Sequence, residues 1–99
     1  MDFWRYEEES DYFTLWYGRH VFLYLPLDTP LTLLEQAVKR LRRGGLNYDQ
    51  AIDLCRQWHA NSEWEHDVDF YFRGGGAFLT ALNAHESVND FAIWLALMR

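Results

Sequence analysis

The chain has 99 residues, 49% of them hydrophobic and 18% aromatic, with 15 Asp and Glu against 9 Lys and Arg for a formal charge of -6. That length fits one domain spanning residues 1–99, the hydrophobic content excludes intrinsic disorder, and the charge argues against a generic binder of nucleic-acid backbones. No run of about 18 apolar residues is present to cross a membrane as a helix.

A single cysteine, Cys55, allows no internal disulfide and no cysteine-based zinc site. Met1 to Asp11 carry five acids and one Arg, the reverse of a signal peptide, so an intracellular, cytoplasmic protein is expected. Charge is segregated along the chain. Two cations stand against six carboxylates over residues 1–28, five against three over 29–60, and two against six over 61–99. No repeat or Pro/Ser-rich linker separates these blocks.

The first block reads as strand. Phe13–Tyr17 and His20–Leu25 are rich in aromatic and β-branched residues and flank Gly18-Arg19, where Gly in the first loop position suits a type II′ hairpin. Phe3–Tyr6 adds a third strand before the acidic turn Glu7–Asp11. Two helices should follow. Thr29 offers a cap and Pro30 a first helical residue, and Leu31, Leu34, Val38 and Leu41 recur at helical spacing up to Gly44-Gly45. Asn47 with Gln50 forms a capping box for a second helix, which places Ala51, Leu54, Cys55 and Trp58 on one face. With so short a link, the two helices are expected to pack as a pair.

His66–Phe72 alternates Val68, Phe70 and Phe72 with Asp67, Asp69 and Tyr71, which predicts a fourth strand with one buried face. Gly74-Gly75-Gly76 then breaks the strand, Ala77–Asn83 reads as a short helix, and Ser87 or Asn89 caps a final helix over Asp90–Met98. This helix is apolar nearly all round, so it is buried or forms half of an interface. The expected fold is α+β: a small antiparallel sheet of three to four strands packed against a helix pair, with a carboxy-terminal helix.

Opposing Trp16 to Val21 and Leu15 to Phe22 gives the hairpin two apolar faces. One is Tyr12, Thr14, Trp16, Val21, Leu23 and Leu25; the other is Phe13, Leu15, Tyr17, His20, Phe22 and Tyr24. The helix pair covers one. Either the carboxy-terminal helix or another protein must cover the second, and in the latter case Trp16, Phe22, Tyr24 and Trp94 form the interface, with a partner or with a second copy of the chain.

Chemistry-bearing patterns are sparse. His59 and His66 flank Glu63 and Glu65 at spacings that match no zinc signature, Cys55 falls on a core face, and the glycine triplet lacks the Lys-Ser/Thr of a P-loop. Ser10, Ser62 and Ser87 stand in no nucleophile-elbow context. No catalytic residue, metal site or cofactor is expected. Lys39, Arg40, Arg42 and Arg43 gather four cations at the end of the first helix, where they complement the helix dipole or contact phosphate in an RNA. Glu63, Glu65, Asp67 and Asp69, with Trp64 and Tyr71 as anchors, make an acidic surface suited to a basic groove. The function expected first is therefore that of a non-enzymatic acidic protein occupying a basic surface on a larger, nucleic-acid-handling complex. Anti-CRISPR and anti-restriction inhibitors of phages or mobile elements work in this way. The alternatives are a homodimeric or immunity/antitoxin-type module using the aromatic hairpin face, and an RNA binder using the basic helix end.

Overall fold

Strands β1 (Trp4–Glu8), β2 (Tyr12–Tyr17) and β3 (His20–Pro26) form an antiparallel meander in the order β1-β2-β3 in the computed structural model, which describes residues 3–98. The β2–β3 loop has the expected two residues, with Tyr17 opposite His20. Gly18 has a φ of 58° while Arg19 does not take a positive φ, as a type II′ turn requires and a type I′ turn does not.

The hairpin register departs from simple alternation. Trp16 opposes Val21, but Leu15 opposes Leu23, because an irregularity between Leu15 and Trp16 leaves Phe22 as an extra residue. This bulge turns both Phe22 and Leu23 inward, where each is fully buried. The inner face then comprises Trp4, Phe13, Leu15, Phe22, Leu23 and Leu25, all 5% exposed or less. Tyr12, Trp16, Val21 and Tyr24 are left half-buried on the outer face.

Helix α1 (Leu31–Gly44) directs Leu34, Ala37, Val38 and Leu41 into the core and stops at Gly45, whose φ of 65° is the left-handed C-cap conformation. Thr29 does not cap this helix. It is buried, its N–H donates to the Pro26 carbonyl at 3.0 Å, and the cap position falls to Pro30 with no side-chain acceptor. Helix α2 (Tyr48–Ala60) has both bonds of the capping box: Gln50 N–H to Asn47 Oδ1 at 2.9 Å and Asn47 N–H to Gln50 Oε1 at 3.1 Å. A helix pair does back the sheet, but α1 takes a later helix as its partner and a groove separates its end from α2.

The fourth strand does not form. Residues 67–83 are one helical run of three parts: α3 (Asp67–Asp69), a π-helical segment (Phe70–Gly74) and α4 (Gly75–Asn83), with right-handed helical dihedrals at each junction. The glycine triplet lies inside this run. A Cβ at Gly74 would stand 2.7 Å from Phe70 Cδ2 and 3.0 Å from Trp64 Cδ1, and one at Gly75 would stand 3.0 Å from Leu25 Cδ2. Here glycine permits close approach of a helix to the sheet rather than a turn. Phe78, Leu79 and Leu82 of α4 pack into the same core, and Asn83 Nδ2 donates to the Leu33 carbonyl at 3.1 Å, tying α4 to α1.

Helix α5 (Val88–Leu97) is capped by Ser87, whose Oγ accepts from the Asp90 N–H at 3.1 Å. It packs on α1, α2 and α4 and so belongs to the helical layer. It does not close the outer face of the sheet. Val88, Phe91 and Leu95 point inward, and Ile93, Leu97 and Met98 remain exposed. The architecture is α+β, with the buried side chains in one hydrophobic cluster. No helix among the described residues is long and apolar enough to cross a membrane.

Candidate functional site

The acidic segment identified in the sequence lies between α2 and the helical run, and its residues separate into different environments. Glu63 and Glu65 are exposed on the link that follows α2. Asp67 and Asp69 sit in the first helical turn, where carboxylates are favoured by the helix dipole, and not at strand spacing on one face of a sheet. Trp64 is not a free anchor. Its ring is half-buried over Gly74, and its backbone N–H donates to Ser62 Oγ at 3.4 Å.

Asp67 and Tyr71 do meet other functional groups. Together with Tyr48, Asp49, Ile52, Asp53, Cys55, Arg56, His59 and Phe70 they line a groove of about 520 Å³ between α2 and the start of the helical run. Asp49, Asp53 and Arg56 project from one side of α2 because they stand four and three residues apart. Asp67 comes from the opposite wall, with its Oδ1 3.5 Å from His59 Nδ1. Cys55 and Ile52 supply the apolar floor. Burial pushes the Cys55 thiol well above its ordinary value. The Tyr71 phenol is raised by burial first; Tyr48, Cys55 and Asp67 push it the same way and Arg56 opposes them.

Sequence reasoning did not include Asp49, Asp53 and Arg56 in the site. Their helical spacing is legible in the sequence, but nothing in it shows that the polar side of α2 faces Asp67 and Tyr71. Among the described residues, no three His, Cys, Asp or Glu side chains converge to hold a metal ion.

Comparison with protein families, with characterised proteins and with solved structures found no match. The site must therefore be read from its own geometry.

The basic cluster is largely engaged within the fold. Arg40 donates to the His85 carbonyl, and Arg42 donates to the Trp4 carbonyl through Nε at 3.0 Å and Nη2 at 2.6 Å. These bonds join the end of α1 to β1 and to the link before α5. Lys39 and Arg43 are exposed. Arg43 borders a second groove of about 390 Å³, between α1, α2 and the start of α5, whose walls also carry Asp53 and Glu86 over an apolar floor of Leu54 and Val88.

The aromatic set proposed from the hairpin does not assemble on one surface. Phe22 is fully buried, because the bulge turns it inward, and so cannot serve an interface. Trp94 is half-buried in the helical layer, 5.0 Å from the His85 ring and 5.9 Å from that of Trp58. Trp16 and Tyr24 do share the outer sheet face. The guanidinium of Arg5 lies 5.2 Å from the Trp16 ring centroid and also bonds to Glu7 and to the Gly18 carbonyl. Phe72 stacks on Tyr24 with centroids 5.7 Å apart. That face is thus partly covered by its own side chains.

Proposed function

We propose that the protein is a non-enzymatic acidic binding module that occupies a basic surface on a larger, nucleic-acid-handling partner and so modulates or inhibits it, in the manner of phage or mobile-element inhibitors of the anti-CRISPR or anti-restriction type. The observation that carries this reading is the distribution of charge around the α2 groove. Asp49, Asp53 and Asp67 line it against one cation, Arg56, and Glu63 and Glu65 are exposed on the link that joins its two walls, whereas Arg5, Arg40 and Arg42 are drawn onto backbone carbonyls elsewhere. An outward field of one sign steers association with a basic partner and repels nucleic acid. The RNA-binding alternative is weakened because two of the four clustered cations already hold the fold together.

Capture of partners from cell lysate tests this reading. A tagged chain should retain a nucleic-acid-handling complex at low ionic strength and release it when the screening length shortens at high salt. Changing Glu63, Glu65 and Asp67 together to Lys should abolish retention. Retention that survives both treatments would contradict the proposal.

One observation favours a second reading, self-association through α5. Ile93 is 52% exposed, Leu97 80% and Met98 46%, which leaves an apolar stripe on the last helix. Sedimentation of the wild type and of Leu97→Lys decides it: a dimer lost in the variant supports the second reading, and a monomer at every concentration removes it.

A further inference from the structure

We propose that the groove between α2 and the Asp67–Gly74 helical run receives an arginine side chain from the partner's basic surface, an inference that rests on the function proposed above. Charge is the first argument. Asp49, Asp53 and Asp67 line the groove against one guanidinium, Arg56, and among the described residues neither Asp49 nor Asp53 is in an ion pair. A cation entering between α2 and the helical run meets carboxylates from both walls. The second argument is shape. At about 520 Å³ the groove falls within the range of sites that enclose small ligands, roughly 300–1,000 Å³.

The lining distinguishes arginine from other cations. Tyr48 on the α2 wall is already engaged, its ring 5.0 Å from that of His20 and its hydroxyl donating to the Val21 carbonyl, so the stacking surface is Tyr71 on the other wall: a planar guanidinium can lie on its phenol ring while its N–H fork reaches a carboxylate, a geometry that a compact ammonium does not match. The Tyr71 hydroxyl makes no hydrogen bond among the described residues, which leaves a polar group free at the groove wall. The apolar floor under Tyr71 suits the methylene stem of a long side chain.

A titration of the full chain with N-acetyl-L-arginine amide, followed by amide chemical shifts, tests the site directly. The lysine and norleucine derivatives serve as comparisons. The arginine derivative should shift the amides of Tyr48, Arg56 and Tyr71, and Asp49→Asn and Asp67→Asn should each weaken binding about fivefold, as expected for a partly exposed charge pair. Glu8→Gln removes the same charge from the β1–β2 end and should leave affinity unchanged. Equal binding of the lysine derivative, shifts spread over Glu7–Asp11, or Asn variants with wild-type affinity would overturn the assignment. Loss of arginine binding with lysate capture intact would remove this site and leave the proposed function standing. Arginine binding without any captured partner would uphold the site and remove the function.

Discussion

Gly74, Gly75 and Gly76 are consecutive in the chain, yet their surroundings give them different tolerances. An alanine methyl at Gly74 would press on the Phe70 and Trp64 rings, whereas nothing lies within 4 Å of the Cβ position at Gly76. Gly74→Ala should therefore cost about 1–3 kcal/mol through overpacking, while Gly76→Ala should stabilise by about 0.5–1 kcal/mol by restricting the unfolded chain; urea unfolding of the two variants checks both signs. A triple glycine reads as a break in one dimension because the rings that crowd it arrive from Trp64 and Phe70, and only the folded helix shows which glycine they touch. Cys55 makes a second residue-scale case, and here the sequence sufficed to place it in the core. Its thiol is raised by burial, so the folded state holds the proton more tightly than the unfolded state. Stability is then full below the ordinary thiol value and declines as pH rises above it. Thermal unfolding above that value should show the decline in the wild type and a flatter profile in Cys55→Ala.

Elements were readable where local chemistry alone decides them. The two-residue hairpin, the Gly45 stop, the Asn47–Gln50 capping box and the Ser87 cap depend on neighbours in sequence, and all are present. Asn47→Ala should accordingly cost about 1 kcal/mol in chemical unfolding, as loss of an N-cap does. The helix expected over 77–83 is present, whereas 67–76 is helical instead of strand and break for a physical reason. Alternating apolar residues in Val68, Phe70 and Phe72 satisfy a strand period, but the segment packs against β3 as helix instead of pairing with an edge of the three-stranded sheet. In the helix the three side chains point in different directions: Phe70 is buried, Phe72 is 37% exposed and Val68 is 67% exposed. Val68→Lys should therefore change stability by less than about 0.5 kcal/mol, as a surface substitution does, where a strand with Val68 on its buried face would lose far more. The bulge at Phe22 was hidden in the same way, because alternation cannot show which residue of an all-apolar hairpin is the extra one.

At the scale of the molecule, the fold puts aromatic surface to structural use and leaves carboxylates on the outside. The sheet face that the sequence offered as an interface is partly overlaid by Arg5 and Phe72, and the acidic groove draws Asp49 and Asp53 from a helix whose polar side carried no recognisable motif. The acidic segment was visible in the sequence. Its joining with α2 was not, since that depends on residues 67–71 folding as helix beside it. The most direct measurement compares two doubly charge-reversed variants of equal net charge, Asp49→Lys with Asp67→Lys and Glu8→Lys with Glu9→Lys, for affinity to the captured partner, with circular dichroism to confirm folding. Binding through the α2 groove requires the first pair to lose about tenfold or more and the second to change little, since paired charges act at contact and diffuse charge is screened. Equal losses in the two pairs, or a larger loss at Glu8 and Glu9, would contradict it.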